Sequence, residues 1–265
     1  MYTLSYIRQI LGLETSAVQE QELVDVVIDS RAILEGKRSL FVAIKASHRN
    51  GHDYIKSAYE KGVRVFVVHQ VPVNKWSDAS FIVVKDTLVA LQLLAKNYRN
   101  KLEYPILAIA GSLGKTTVKE WLYHLLAGKL EVFRSPKSYN SQLGVAISIL
   151  QLPKKADLAI IEVALTKPGE MKVLADMLRP THGILTNLLP SHANEFNDFQ
   201  QYSAEICSLF NGVNWLITSE ETNKLTDLRC QTISVQAHQL DSLIPFQDEI
   251  SIQHSKIAIA AAEEW

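Results

Sequence analysis

The sequence predicts an α/β protein in which sheets are flanked by helices. Two observations carry this prediction: short β-branched runs alternate with amphipathic stretches at helical spacing, and from Pro105 onward the apolar runs are continuous. Continuous apolar strands joined by helices indicate a mostly parallel sheet with right-handed crossovers. The predicted strands comprise residues 24–30, 39–44, 63–68, 81–84, 105–110, 157–163, 182–186, 214–218 and 232–235.

A domain boundary is predicted at the polar stretch 97–103. Because 265 residues are enough for two cores of ordinary size, we predict one domain over residues 1–98 and another over residues 99–265. Helices of the first domain are predicted at residues 54–61 and 87–98. Apolar residues at helical spacing follow the strand 105–110, namely Val118, Trp121, Leu122, Leu125 and Leu126.

Composition excludes several classes of protein. A formal net charge of −1 gives no field that would gather nucleic acid or an anionic membrane. Cys207 and Cys230 are the two cysteines, which is neither a disulfide framework nor a metal-ligand pattern. The N-terminal residues lack a continuous apolar core, and no apolar stretch reaches the roughly 20 residues that cross a bilayer. We therefore expect a soluble cytoplasmic protein with no membrane insertion.

The sharpest motif is a glycine-containing loop between the strand 105–110 and the next helix. Its residues are Gly111, Ser112, Leu113, Gly114, Lys115, Thr116 and Thr117. In such a phosphate loop the backbone amides and the helix N-terminus hold phosphate, Lys115 reaches the β and γ phosphates of ATP, and Thr116 ligates Mg²⁺. Ile109 stands where the strict motif has its first glycine, and the alternative is a chance glycine turn.

Two further residues are candidates for the same site. Glu162 ends the predicted strand 157–163, where an acidic residue can hold Mg²⁺ at the mouth of a parallel sheet. His192 follows the strand 182–186, and its alternative role is that of a hydrogen-bonded surface histidine.

Several motifs appear in a characteristic order along the chain. They are Asp29-Ser30-Arg31, the run Arg49-Asn50-Gly51-His52-Asp53-Tyr54-Ile55, the phosphate loop, residues 135–144 (SPKSYNSQLG), Glu162, and Thr186-Asn187 with His192. Together they resemble the Mur ligases, ATP-dependent enzymes that extend the peptide of peptidoglycan precursors. The resemblance is strongest to the D-alanyl-D-alanine-adding (MurF-type) members, especially the form fused to an alanine racemase.

The resemblance implies a small N-terminal α/β domain that binds the UDP-sugar end of the substrate, followed by a central ATP-binding domain. The matching positions are Ser30, Arg31, Asn50 and His52 for the UDP-sugar, Asn140 for the substrate side, and Asn187 for the nucleotide. It also implies catalytic roles for Lys115, Glu162 and His192, with Thr116, Glu162 and His192 around Mg²⁺.

The implied reaction joins D-alanyl-D-alanine to UDP-N-acetylmuramoyl-tripeptide through an acyl phosphate. The implied partners are these small molecules and a fused or associated alanine racemase. Nothing in the sequence matches the family's third domain, so we expect a fragment or truncated form that is inactive when isolated.

Departures from the family pattern support a second hypothesis. Leu113 replaces a loop asparagine, Ala164 and Leu189 replace glycines, and no lysine lies between Lys172 and Lys224. The family uses a carbamylated lysine in that stretch, where this chain has Tyr202 or Ser203 at the matching position. The alternative is therefore a catalytically degenerate relative that binds nucleotide or UDP-sugar as a regulatory or scaffolding module. A small kinase is a third hypothesis, but it would not need the first domain.

Overall fold

The computed structural model describes residues 2–15, 20–45, 50–73, 75–189, 196, 198–224, 231–235 and 248–265. The chain divides into two compact units, Met1–Tyr98 and Arg99–Trp265. The α/β fold class predicted from the sequence is confirmed, because both units contain a parallel sheet flanked by helices. Among the described helices none combines the length and apolar character needed to cross a membrane.

The first unit is built on a four-stranded parallel sheet in the order β3 (Asp25–Val27), β4 (Ser39–Val42), β5 (Val65–Val68) and β6 (Ser80–Val83). Phe41, Phe66 and Phe81 occupy paired positions on three of its strands, and their rings form a ladder in the core. A short antiparallel pair, β1 with β2, was not predicted, since two-residue strands leave no periodic pattern. The elements of this unit are β1 (Tyr2–Thr3), α1 (Leu4–Ile10), β2 (Glu22–Leu23), β3 (Asp25–Val27), β4 (Ser39–Val42), α2 (Ile55–Glu60), β5 (Val65–Val68), β6 (Ser80–Val83) and α3 (Thr87–Arg99), with 3-10 turns at Ser30–Ala32, Gly36–Arg38 and Gly51–Tyr54.

The strands of the second unit are β7 (Ile106–Ala110), β8 (Val132–Arg134), β9 (Leu158–Glu162), β10 (His182–Leu185), β11 (Trp215–Ser219) and β12 (Gln231–Val235). They form a six-stranded parallel sheet in the order β12-β11-β10-β7-β9-β8. Its helices are α4 (Lys115–Leu126), α5 (Gln142–Leu150), α6 (Glu170–Leu178), α7 (Phe199–Ser208), α8 (Glu220–Asn223) and α9 (Glu249–Glu263).

Helices α4 and α9 cover one face of this sheet. Val118, Leu122 and Leu126 of α4 are buried together with Ile257 and Ala261 of α9. Leu125, which also falls at helical spacing, is by contrast 48% exposed. A residue one position before Leu126 is rotated by about 100° around the helix, which turns it toward solvent.

The strand order determines where the site forms. Strand β7 lies between β9 and β10, and all three strands run parallel. Their carboxyl ends therefore meet at one edge of the sheet. Gly111 follows β7, Glu162 ends β9, and Thr186 follows β10, so three chain segments that are distant in sequence converge there.

Candidate functional site

The loop from Gly111 to Gly114 makes a tight turn into helix α4. Both glycines have positive φ angles, 135° and 78°. A Cβ atom at Gly111 would overlap the Thr186 hydroxyl, and one at Gly114 would overlap the imidazole ring of His254. Glycine is thus required at both positions for conformation and for space.

Thr186 and Asn187, the two residues that follow β10, hold this loop from one side. The Asn187 carbonyl oxygen accepts from the amide of Ser112 at 2.9 Å, and its Oδ1 accepts from the amide of Leu113 at 2.9 Å. Thr186 Oγ1 donates to the Leu113 carbonyl at 2.6 Å. The Asn187 side chain, predicted to face a nucleotide, therefore supports the loop backbone in this structure. The Leu113 side chain is exposed, as is that of Thr117.

Lys115 folds back over the loop. Its Nζ donates to the carbonyls of Gly111 at 2.7 Å and Ser112 at 3.1 Å. Burial lowers the pKa of the Lys115 ammonium, and the nearby Glu162 carboxylate opposes that shift. The ammonium group is thus held against the loop at the N-terminus of helix α4, which suits it to contact an anion.

Glu162 is the acidic centre of the site and is 1% exposed. Its Oε2 accepts from Thr116 Oγ1 at 2.8 Å, and its Oε1 accepts from Asn140 Nδ2 at 2.7 Å. The structure therefore brings Thr116, Asn140 and Glu162 together, although they come from α4, the segment before α5, and β9.

Lys119 is a member of the site that the sequence prediction missed. It is fully buried, its Nζ lies 3.5 Å from Glu162 Oε2, and it donates to the carbonyls of Ser135 and Lys137. Lys119 stands one helical turn after Lys115. That i, i+4 spacing on a helix starting at the phosphate loop was the available signal, because both lysines share a face.

His254 of α9 was also missed. Its side chain is 4% exposed, packs against Gly114, and leaves a buried Nε2 without a hydrogen-bond partner among the described residues. Burial lowers the pKa of the His254 imidazole, and the Asp248 carboxylate opposes that shift. No sequence signal could place it here, since it lies far along the chain from the loop.

The two residues at the expected lysine position behave differently. Ser203 Oγ donates to the carbonyls of Phe199 at 2.8 Å and Gln200 at 3.2 Å within its own helix. The Tyr202 hydroxyl instead lies 3.3 Å from Ser112 Oγ of the phosphate loop. Tyr202 therefore brings α7 into contact with the phosphate loop.

The other altered positions lie close to the loop. The amide of Leu189 donates to Ser112 Oγ at 2.8 Å, and the amide of Ala164 donates to the Asn140 carbonyl at 2.9 Å. His192 falls outside the residues that the structure describes.

Of the residues predicted to bind the UDP-sugar substrate, Asn140 lies in the second unit, and the other four lie in the first. Arg31 pairs with Asp29 at 2.6 Å, and hydrogen bonds from Arg31 lower the pKa of the Asp29 carboxyl to about 2. Asn50 Oδ1 accepts from the amide of His52 at 3.2 Å and so caps the turn that follows. Ser30 is buried. Asn50 and Asp29 therefore have local structural roles as turn caps.

His52 packs closely on a second histidine. The rings of His52 and His69 have centroids 4.0 Å apart. Burial, followed by the neighbouring His69, lowers the pKa of the His52 imidazole. The surroundings of His52 therefore favour its neutral imidazole inside the first unit.

A phosphate loop between β7 and α4, with Glu162 ending the neighbouring strand, defines a phosphate-loop α/β protein. The Mur ligase middle domain matches residues 109–255, and the Mur ligase family catalytic domain matches residues 23–99. The chain belongs to the Mur ligase family.

Named relatives agree with this assignment. The chain is 33% identical over 180 residues to the UDP-N-acetylmuramoyl-tripeptide--D-alanyl-D-alanine ligase of Synechocystis sp., covering 67% of this chain and 39% of the relative. The fold is similar to that of MurF from Acinetobacter baumannii, with a TM-score of 0.81, 20% identity, and coverage of 98% of this chain and 64% of that chain. It is also similar to the MurF ligase from Thermotoga maritima in complex with ADP, with a TM-score of 0.77, 21% identity, and coverage of 91% and 62%. The chain thus spans about two fifths of the curated relative that it matches.

Proposed function

We propose that this chain supplies the UDP-sugar-binding and ATP-binding parts of a peptide ligase of peptidoglycan precursor synthesis. The proposed reaction adds D-alanyl-D-alanine to UDP-N-acetylmuramoyl-tripeptide. The observation that carries the proposal is the meeting of a phosphate loop with a buried carboxylate, where Thr116 Oγ1 donates to Glu162 Oε2 at 2.8 Å. The names of the relatives supply the substrate class.

ATP is the proposed nucleotide. Lys115 lies inside the loop turn, and the amides of the turn stand at the N-terminus of α4. The Lys115 ammonium now contacts the carbonyl oxygens of Gly111 and Ser112. Phosphate oxygens would replace these neutral partners with negatively charged ones, which strengthens the hydrogen bonds. The similarly folded MurF ligase from Thermotoga maritima was obtained with ADP.

Mg²⁺ is the proposed metal, and the donor set fits it. Thr116 and Glu162 offer a hydroxyl and a carboxylate side by side, which are the hard oxygen ligands that Mg²⁺ takes together with phosphate oxygens. His192 is a further proposed ligand on the resemblance alone. The ion would offset phosphate charge when bound, and Lys119 already offsets part of the Glu162 charge, with its Nζ 3.5 Å from Oε2.

The residues of this chain would act mainly by positioning. In the proposed reaction a carboxylate oxygen of the tripeptide bonds to the γ-phosphorus as ADP leaves. The amine of D-alanyl-D-alanine then attacks the acyl carbon, loses a proton and expels phosphate. Lys115 would stabilise the transferred phosphoryl group, and Asn140 would keep Glu162 oriented through its 2.7 Å hydrogen bond.

The first unit is proposed to bind the UDP-sugar through Ser30, Arg31, Asn50 and His52. Arg31 is the residue best placed to reach a diphosphate, since its side chain is 82% exposed and can exchange Asp29 for phosphate oxygens. An alanine racemase, fused or associated, stays part of the proposal as the source of D-alanine.

Binding of Mg·ATP to the chain and to Lys115→Ala tests the nucleotide part of the proposal. We expect saturable binding that the substitution abolishes, measured by calorimetry, and equal negligible affinity in both proteins would refute nucleotide binding. Ligation is then assayed with the complete native polypeptide, both substrates and ATP. Release of phosphate that requires both substrates supports the ligase.

A non-catalytic nucleotide-binding relative is the second candidate. The observation that favours it is the arrangement of α7, where the Ser203 hydroxyl is bonded within its own helix and no lysine lies between Lys172 and Lys224. Nucleotide binding by the complete polypeptide without phosphate release in the presence of both substrates would select this candidate.

A further inference from the structure

Tyr202 joins helix α7 to the phosphate loop. Its side chain is 3% exposed, and its hydroxyl lies 3.3 Å from Ser112 Oγ. The ring is fixed by edge contact with Phe196 at 5.3 Å and by a tilted contact with Phe199 at 6.3 Å. The hydroxyl is therefore held at the loop by a packed ring that has little freedom to turn away.

Ser112 is the residue through which such a contact can control the loop. Its Oγ accepts from the amide of Leu189 at 2.8 Å, and its own amide donates to the Asn187 carbonyl at 2.9 Å. A serine oxygen has two acceptor positions, so a second one is open to the Tyr202 hydroxyl. The Ser112 carbonyl in turn accepts from Lys115 Nζ at 3.1 Å. A shift in the position of the Ser112 backbone would therefore alter a direct contact of the Lys115 ammonium.

Tyr202 also forms part of the wall beside Lys115. A cavity of about 270 Å³ lies there, and its lining includes Gly111, Ser112, Lys115, Asn140, Thr166 and Tyr202. Burial raises the pKa of the Tyr202 phenol, opposed by the Ser112 hydrogen bond, so the hydroxyl stays protonated and can donate. Tyr202 and Lys115 accordingly line the same cavity.

We propose that Tyr202 is a positioning residue of the phosphate loop, which it holds in its binding shape through Ser112. The proposal rests on the nucleotide binding proposed above. It assigns α7 a role in ligand affinity, although none of its residues was predicted to bind nucleotide. Because Tyr202 acts through Ser112, removing the Tyr202 hydroxyl is expected to have no further effect once the Ser112 hydroxyl is absent.

The test is a double-mutant cycle on ADP binding by the complete 265-residue chain. Dissociation constants are measured by calorimetry with Mg²⁺ for the wild type, Tyr202→Phe, Ser112→Ala and the double variant. Loss of one hydrogen bond predicts about three- to tenfold weaker binding for Tyr202→Phe. The double variant is expected to bind no more weakly than Ser112→Ala alone. Tyr123→Phe is the matched control, since the Tyr123 ring packs against the Arg134 guanidinium, which lies 3.6 Å from its centre.

Each outcome decides the proposal. Wild-type affinity in Tyr202→Phe, or effects of the two substitutions that add, would overturn it while leaving nucleotide binding intact. Absence of ADP binding by the wild type would overturn both proposals together. Amide hydrogen exchange of the loop in the ligand-free protein gives an independent readout, with faster exchange expected at residues 111–115 in both single variants. Equal exchange rates in Tyr202→Phe and the wild type contradict the proposal even if affinity changes.

Discussion

The ammonium group of Lys119 lies 3.5 Å from Glu162 Oε2, and the two side chains are 0% and 1% exposed. Lys119 also contacts Glu120 at 3.4 Å, and Glu120 pairs with Arg134 at 2.7 Å. The carboxylate at the candidate site is thus one end of a chain of charges that runs from the sheet to the surface.

Lys119→Met is predicted to destabilise the second unit. The substitution keeps the length of the side chain but leaves the Glu162 carboxylate buried without its cation, which costs about 3–5 kcal/mol. Urea unfolding followed by tryptophan fluorescence measures this, since Trp121, Trp215 and Trp265 lie in this unit. Lys129→Met is the control, because Lys129 is exposed. A loss below about 1 kcal/mol would mean that the pair is not a significant buried interaction.

Gly114→Ala is predicted to destabilise the same unit and to abolish nucleotide binding. A φ of 78° costs an alanine about 1–2 kcal/mol, and its Cβ also overlaps the His254 ring. The variant Gly114→Ala/His254→Ala should regain part of the stability, because the overlap is removed while the φ strain remains. Thermal unfolding measures the loss of stability in the single variant and the recovery in the double variant. Gly128→Ala is the matched control, since a Cβ there meets no atom within 4 Å. Failure of the double variant to recover would place the cost elsewhere.

Acid is predicted to loosen the first unit through His52. Burial, followed by His69, lowers the pKa of the folded-state His52 imidazole, so the folded state binds the proton less readily than the unfolded chain does. The stabilising contribution is complete above the ordinary pKa of about 6.5 and is lost as pH falls below it. The Asp29 carboxyl, with its pKa of about 2, loses its contribution only in stronger acid.

Hydrogen exchange of first-unit peptides between about pH 7 and pH 5 measures the His52 effect. The rates, corrected for the intrinsic pH dependence of exchange, should show lower protection at pH 5 in the wild type. His52→Phe keeps an aromatic ring against His69 and should reduce the pH dependence. The same pH dependence in both proteins would exclude His52 as its source.

Arg99→Met is predicted to weaken the second unit at the end of helix α6. The Arg99 guanidinium is 7% exposed and donates to the carbonyls of Leu178, Leu102 and Arg179 at 2.9, 2.8 and 3.1 Å. Removing these charged donors leaves carbonyls at a helix end unpaired, at a cost of about 2–3 kcal/mol. Fluorescence-detected urea unfolding gives the value, with Lys129→Met again as the control. An unchanged midpoint would show that water replaces the guanidinium without loss.

The part of the fold that the sequence predicts well is the part with local patterns. The strand predicted at residues 105–110 is observed as Ile106–Ala110, and α4 begins at Lys115 directly after the glycines. Strand β8 at Val132–Arg134 was not predicted, because three residues carry too little periodicity. The predicted strand 24–30 shortens to Asp25–Val27, since the Asp29 side chain caps a 3-10 turn that begins at Ser30.

The candidate site divides in the same way. The loop, Thr116 and Glu162 were predicted because each belongs to a strand end or a motif that is continuous in sequence. Tyr202 and His254 contribute through packing between distant segments, which a single sequence does not display. Lys119 had a local signal in its i, i+4 spacing from Lys115, but its contact with Glu162 again joins distant segments. Asn187 Oδ1 accepts from the Leu113 amide, and its role toward a nucleotide stays a prediction.

The central place of β7 in its sheet has a consequence for folding kinetics. Ile106 pairs with Ala159 and Leu107 pairs with His182, so the edge that carries the loop forms only after two long chain closures. Contacts of such high sequence separation are entropically costly and slow to form. If they form after the rate-limiting barrier, a nucleotide bound at the loop would slow unfolding while leaving the refolding rate almost unchanged.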